Sequence, residues 1–78
     1  MTYITVVLSN GDPFGNNFRV TDENAGSVQI FNSYIGPHET AHVSCLQNGA
    51  GYGNIITYQD NNDGIGRRFL HDGDVVNL

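Results

Sequence analysis

The sequence predicts a small all-β protein, an antiparallel sandwich or barrel of six to seven short strands. Short segments of alternating apolar and polar residues are separated by turn residues about every 8 to 12 positions, which is typical of small sandwiches and barrels. No stretch carries the 3.6-residue period of an amphipathic helix, so we expect almost no helix. The 78 residues leave room for one domain, residues 1–78.

An internal repeat is the third observation. The segment ITVVLSNGDPFGNNF, which begins at Ile4, aligns without a gap with IITYQDNNDGIGRRF, which begins at Ile55, and five of fifteen positions are identical. Each copy has the pattern of a β-hairpin with a polar loop. Extended outwards, the repeat predicts two three-stranded meanders in residues 2–31 and 54–78.

The repeat also makes predictions about matched residues. We expect Gly15 and Gly66 to hold equivalent backbone positions with positive φ, where a Cβ is costly. We expect Phe18 and Phe69 to enter one shared core. Truncating either ring should then cost about 3 to 5 kcal/mol, comparable to the whole stability of so short a chain.

Each strand is predicted from the period of two in its apolar residues. The predicted strands are Thr2–Leu8, Asn17–Thr21, Ser27–Phe31, Thr40–Gln47, Asn54–Gln59, Arg67–His71 and Asp74–Leu78. The residues predicted to face inwards in the first four are Ile4, Val6, Leu8, Phe18, Val20, Val28, Ile30, Ala41, Val43 and Cys45. In the fifth strand the alternation allows either Ile55 and Thr57 or Ile56 and Tyr58 to face the core.

Turn residues predict the connections between these strands. Asn10-Gly11 and Asp12-Pro13 end the first strand, because both dipeptides favour turns. Residues 32–39 are predicted to form a loop around Gly36-Pro37. Asn48-Gly49 is typical of a two-residue hairpin turn.

The charge balance argues against several classes of partner. The chain has no lysine, three arginines and eight acidic residues, a net charge of −5. Nucleic-acid binding needs a clustered positive face, and so does binding to an anionic membrane surface, so neither is expected. No segment approaches the roughly 18 to 20 apolar residues of a membrane span. A basic partner, a cation or simple solubility fits this charge.

The single cysteine, Cys45, predicts neither an internal disulfide nor a zinc knuckle. The N-terminal residues MTYITVVLSN lack the basic start and small-residue cleavage site of a signal peptide. The sequence does not determine the cellular compartment, although the single cysteine slightly favours the cytoplasm. Because a core this small has no covalent staple, self-association is an attractive way to bury more surface.

No local motif arranges a nucleophile with a base and an orienting acid, and a chain of this size leaves little volume for a deep pocket, so we expect no enzyme. His38, His42 and Cys45 have a spacing that metal ligands can use. On the predicted strand, however, His42 and Cys45 point to opposite sides, which disfavours a shared metal.

The polar loops of the two copies supply candidate cation ligands. Asp12, Asp60, Asn62 and Asp63 carry the oxygen donors that calcium prefers, and the same groups could bind a sugar. An EF-hand is excluded because Leu70 would fall on its twelfth, acidic position. The alternative is a solvated turn, since Asn and Asp also favour loops through their own backbone contacts. No other cofactor is expected.

Tyrosines provide the candidate protein-binding residues. Tyr34 and Tyr52 lie in predicted glycine-flanked loops, a composition favoured at binding surfaces. The alternative is that both rings pack onto the ends of the sandwich. Arg67 is a third candidate, and its alternative role is pairing with a nearby aspartate, namely Asp60, Asp63 or Asp74.

The absence of catalytic signatures and the loop tyrosines together favour a non-enzymatic recognition or assembly module that binds another protein or itself. One alternative is a calcium- or carbohydrate-binding module that uses the Asx-rich loops. Another is an acidic, phage-type inhibitor of a nucleic-acid-processing defence enzyme, suggested by the small size and negative charge.

Overall fold

A computed structural model describes residues 2–78 and confirms the all-β prediction. Two sheets of three and four strands pack face to face as a compact β-sandwich. The strands are β1 (Tyr3–Ser9), β2 (Asn16–Asp22), β3 (Val28–Ile35), β4 (Thr40–Leu46), β5 (Gly53–Gln59), β6 (Ile65–Leu70) and β7 (Val75–Asn77). The first sheet has the order β4-β1-β7 and the second the order β3-β2-β5-β6. No helix in residues 2–78 is long and apolar enough to cross a membrane.

One hydrophobic core lies between the sheets, and the alternation of β1, β2 and β4 points into it as predicted. In β5 the inward residues are Ile55 and Thr57, so the first of the two predicted faces is the buried one. The buried apolar side chains are Ile4, Val6, Leu8, Phe18, Val20, Ile35, Val43, Cys45, Ile55, Leu70 and Val76. Every strand therefore contributes to the core, but β3, β6 and β7 contribute one buried residue each, namely Ile35, Leu70 and Val76.

The connection from β1 to β2 differs from the predicted hairpin. β1 is the central strand of the three-stranded sheet, whereas β2 lies inside the four-stranded sheet, so the segment between them crosses from one layer to the other. Asn10 holds this crossing. Its buried amide nitrogen donates to the carbonyls of Phe14 at 2.9 Å, Ile35 at 3.1 Å and Gly36 at 3.1 Å, and these bonds replace those of a hairpin loop.

The second copy does form a hairpin, in which β5 and β6 pair antiparallel. The chain then crosses to the other sheet, and β7 pairs parallel with β1 through Val7 and Val75. Neither half of the chain is therefore a three-stranded meander. β1 satisfies both of its edges through β4 and β7, neither of which follows it directly in the chain.

β3 is longer than predicted and includes the first half of the predicted loop 32–39. Asn32 pairs with Arg19 and Tyr34 with Asn17, so polar residues continue the ladder along this edge strand. An irregularity between Val20 and Thr21 shifts the register. Val28, beyond this shift, is exposed rather than inward-facing.

Asn48-Gly49 does not close a hairpin, because β4 and β5 belong to different sheets. Asn48 instead organises a wider turn. Its side-chain oxygen accepts from the backbone nitrogens of Ala50 at 3.0 Å and Tyr52 at 2.9 Å. An asparagine side chain that replaces a backbone acceptor in this way stabilises a turn without requiring the two strands to pair.

Candidate functional site

A cleft of about 610 Å³ opens where the end of β6 faces the segment after β2. Its lining combines apolar, amide and charged groups from three separate parts of the chain: Glu23, Asn24, Asn54, Ile55, Ile56, Gly66, Arg68 and Phe69. Ile56 and Gly66 are cross-strand partners, so they lie side by side. Because glycine has no side chain, the surface beside Ile56 is left open.

A 3₁₀ turn over Glu23–Ala25 forms one wall of the cleft. Asp22 precedes the turn and is buried. Its Oδ1 accepts from the backbone nitrogen of Asn24 at 3.2 Å, and its Oδ2 accepts from that of Leu46 at 2.7 Å. This carboxylate caps the turn and ties the two sheets together.

The polar side chains of this wall are already bound to other groups. The carboxylate of Glu23 accepts from the hydroxyls of Thr21 and Ser27, each at 2.8 Å. The amide of Asn24 donates to the carbonyls of Leu46 at 2.8 Å and Tyr52 at 3.0 Å. These bonds make the wall a fixed, negatively charged surface.

Phe69 forms the opposite rim, where the ladder between β5 and β6 is irregular. Between the pairs Gly53–Leu70 and Ile55–Arg67, two residues of β6 oppose the single residue Asn54. Phe69 is one of the two, and its φ of 58° lies in the left-handed region. That conformation usually belongs to glycine and is costly for a bulky residue.

The ring of Phe69 is 66% exposed despite this backbone strain. Tyr52 supports it from one side, with ring centroids 5.3 Å apart and the planes at 90°. Tyr52 makes a second edge-to-face contact with His71, at 5.1 Å. The result is an aromatic cluster (Tyr52, Phe69 and His71) that fixes the exposed phenylalanine at the edge of the cleft.

This position contradicts the expectation that Phe18 and Phe69 share one core. Phe18 is 2% exposed and fully packed, but Phe69 faces solvent. The predicted glycine equivalence is also wrong: positive φ values occur at Gly26, Gly51 and Gly73, but not at Gly15 or Gly66. In the second copy the left-handed residue is the phenylalanine itself, because the bulge falls there and turns its side chain away from the core.

The three predicted protein-binding residues lie in different surroundings. Tyr34 is on β3 rather than in a loop and is 61% exposed, and its ring covers Gly15. Tyr52 lies in the predicted loop but is half-buried in the aromatic cluster. Arg67 donates through Nε to Thr57 Oγ1 at 3.2 Å. Tyr52 therefore borders the cleft, while Tyr34 and Arg67 do not line it.

None of the three arginines forms an ion pair with a carboxylate among residues 2–78, so the expected pairing of Arg67 with an aspartate does not occur. Arg19 instead lies over the ring of Tyr58, with its guanidinium carbon 3.9 Å from the ring centroid. Arg68, on the outer side of β6, lines the cleft as an exposed cation. A cation beside an apolar floor and an aromatic rim can bind an anionic group that carries apolar neighbours.

The predicted calcium ligands are distributed over two loops. Asp12 is exposed in the crossing after β1, and Asn62 and Asp63 are exposed in the hairpin loop after β5. Asp60 turns towards β2 and accepts from the backbone nitrogen of Asn17 at 3.2 Å. Within residues 2–78, no three His, Cys, Asp or Glu side chains cluster closely enough to hold a metal. Calcium binding by these residues remains an alternative hypothesis.

Cys45 and His42 point to opposite sides of β4, as predicted. Cys45 is buried, and His42 is exposed. Burial, assisted by the negative charge of Asp22, raises the pKa of the Cys45 thiol to about 11. The thiol therefore stays protonated at neutral pH, the form that is neither nucleophilic nor metal-binding.

Sequence reasoning missed the central residues of the cleft, Phe69 and Arg68. An aromatic residue in an alternating strand is normally inward-facing, and nothing in the sequence marks the bulge that reverses it. The adjacent Arg67-Arg68 pair was visible, but which arginine faces outwards depends on the register with β5.

Comparison with known proteins adds no relative. The chain matches no protein-family model, and no curated protein and no solved structure is significantly similar to it.

Proposed function

We propose that this protein is a non-enzymatic recognition module that binds another protein through the cleft at Phe69. The observation that carries the proposal is the phenylalanine itself, 66% exposed at a φ of 58°. The left-handed backbone of this bulky residue costs stability, and its exposed ring offsets little of that cost through burial. Such strain concentrates at functional sites, where the surrounding structure maintains it.

The chemistry around Phe69 resembles the centre of a protein interface. Interface hot spots are enriched in aromatic residues and arginine and surround a pocket that a partner can fill. Here Phe69 and Arg68 flank the open surface beside Ile56, and all three line the same cleft. Because Tyr52 already holds the Phe69 ring, a partner would order few additional side chains on binding, which lowers the entropic cost.

The role of Tyr52 changes accordingly. The sequence suggested direct contact with a partner, but the half-buried ring packs edge to face against Phe69. In the proposed site Tyr52 is a supporting residue, and Phe69 is the contact. Tyr34 lies on β3, at the opposite edge of the sheet from β6, and does not line this cleft.

Site-specific photocrosslinking in the native cells tests the proposal. A photoreactive phenylalanine analogue at position 69 should give a discrete protein adduct, and Arg68→Glu should reduce it. The matched control is the same analogue in place of Tyr3, which is similarly exposed at 60% but lies on the other sheet. The proposal fails if position 69 yields no adduct, or if positions 69 and 3 give the same products.

A further inference from the structure

We infer that the partner binds as an extended strand added to the free edge of β6, with a large apolar side chain over Gly66 and an acidic side chain at Arg68. This inference rests on the proposed function and adds the conformation and chemistry of the bound segment. Three observations from residues 2–78 carry it: β6 pairs along one edge only, its outer face has a distinct side-chain pattern, and Arg68 has no ion-pair partner there.

The edge of β6 is open to pairing. β6 is the last strand of its sheet, and within residues 2–78 it pairs with β5 alone. An edge strand presents a row of backbone donors and acceptors to any extended chain. Strand addition satisfies these groups, while side-chain pockets set the sequence that is preferred.

On the outer face of β6, Gly66 has no side chain, and Arg68 carries a positive charge. Gly66 lies next to Ile56, and a Cβ placed on Gly66 would meet no atom within 4 Å. An added strand would place a side chain next to Gly66, where a large apolar group can cover Ile56. Arg68 is two residues further along β6, so by the period of two it borders the same face of the added strand.

The charges on the two walls of the cleft fix where an acidic side chain can lie. Arg68 has no ion-pair partner within residues 2–78, although the chain carries eight acidic residues. On the opposite wall Glu23 would repel a second carboxylate. An acidic residue of the partner is therefore favoured at Arg68, where it gains a charge-assisted hydrogen bond.

The same charges disfavour a second copy of this chain as the occupant. If two β6 strands pair antiparallel about Arg67 or about Arg68, that arginine lies opposite its own copy, and like charges in directly opposed positions are destabilising. Each copy also carries a net charge of −5. These charges favour a segment of a different protein that contains an acidic residue over a second copy of this chain.

A phage-displayed library of random linear peptides tests the inference, with selection on the wild-type protein and counter-selection on Arg68→Glu. We expect enriched peptides to share a large apolar residue two positions from Asp or Glu. Their affinity should fall about tenfold or more for Arg68→Glu, the size expected for a lost charged hydrogen bond. Arg19→Glu, which removes a cation stacked on Tyr58, is the control for net charge and should leave affinity unchanged.

Two further measurements distinguish strand addition from other modes of binding. N-methylation of single peptide bonds should abolish binding at alternate positions only, because alternate backbone groups of an added strand face β6. Replacing the acidic residue of a selected peptide with Lys should restore binding to Arg68→Glu.

Each remaining outcome overturns the inference. Some peptides could lose affinity for Phe69→Ala and yet show no alternation in their sensitivity to N-methylation. That result would refute strand addition and leave the proposed function intact. If no enriched peptide binds the wild type more tightly than Arg68→Glu, the acidic preference is refuted, and the inference is refuted with it. The proposed function itself fails separately, through an absence of crosslinks at position 69.

Discussion

Segments 4–18 and 55–69 have five identical positions, yet they occupy the sandwich in different ways. The first crosses from the three-stranded sheet to the four-stranded sheet, while the second folds back as a hairpin within one sheet. Matched residues consequently have different surroundings. Similar local sequence is compatible with both paths, and the contacts made by the flanking strands decide between them.

The asparagines at the start of the two loops illustrate this difference. Asn10 is buried and bridges three carbonyl groups, two of which come from the end of β3 and the residue after it. Asn61 is exposed in the hairpin loop. The same residue type is an internal connector in one copy and a solvated turn residue in the other.

The phenylalanines at the ends of the two copies differ even more in their burial. Phe18 lies in the middle of the core, since its strand has neighbours on both sides. Phe69 lies on an edge strand at a bulge and faces outwards. The first copy uses its aromatic residue for stability, and the second presents it to solvent at the candidate site.

The largest expected difference between the copies is in the response to truncation of these rings. Phe18→Ala should lower the free energy of unfolding by about 3 to 5 kcal/mol and leave the protein largely unfolded. Phe69→Ala should remain folded, because its ring fills no part of the core. Circular dichroism melts measure both. If both variants unfold, Phe69 is buried in solution, and the basis of the proposed site is removed.

The asparagine pair should show a smaller difference. Asn10→Ala removes the donor to three carbonyl groups in a buried crossing and should cost about 1 to 3 kcal/mol. Asn61→Ala should change stability by less than about 0.5 kcal/mol, as expected for an exposed substitution. Urea titrations of the two variants measure this difference. Equal losses would contradict the assignment of Asn10 as the residue that holds the crossing.

The strain at Phe69 can be measured by changing the residue to glycine. Both Phe69→Gly and Phe69→Ala lose the contact with Tyr52, but only glycine adopts a φ of 58° without a penalty. We expect Phe69→Gly to be more stable than Phe69→Ala by about 1 kcal/mol. Arg68 has no positive φ, so Arg68→Gly should be less stable than Arg68→Ala. The same order at both positions would contradict a left-handed residue 69.

The smallest effect is expected at the matched aspartates. Asp12 and Asp63 are exposed, so Asp12→Ala and Asp63→Ala should each melt within a few degrees of the wild type. The free energy of unfolding should change by less than about 0.5 kcal/mol.

We expect calcium to change the melting temperature of neither the wild type nor these two variants. A bound ligand at 100 times its dissociation constant adds about 2.7 kcal/mol. A calcium-dependent rise of that size in the wild type, lost in both variants, would establish a cation site shared by the two loops.

The parts of the fold that were predictable are those governed by local patterns. The alternation Ile4, Val6, Leu8 describes one face of a strand whichever neighbour it has, because the period of two is a property of the extended backbone. Turn residues predicted the ends of most strands, because their backbone preferences are also local. The β5–β6 hairpin was predictable because its strands are close in sequence.

The candidate site was much less predictable, since it joins parts of the chain that are distant in sequence. Glu23 and Asn24 meet Arg68 and Phe69 only after the sheet has formed. Tyr52 was identified as a relevant aromatic residue, but its role as a support depends on where Phe69 points. Calcium binding by Asp12, Asp60, Asn62 and Asp63 remains a hypothesis from composition.

The sequence by itself therefore determined the all-β class, the approximate positions of the strands and most of the inward-facing residues, since these depend on neighbours within one strand. Only the tertiary structure decided that β1 lies between β4 and β7, that β3 extends to Ile35 and that Phe69 faces solvent. These outcomes depend on strand partners chosen across the whole chain. A register shift or a bulge in one ladder reverses a side chain without leaving any mark in the local pattern.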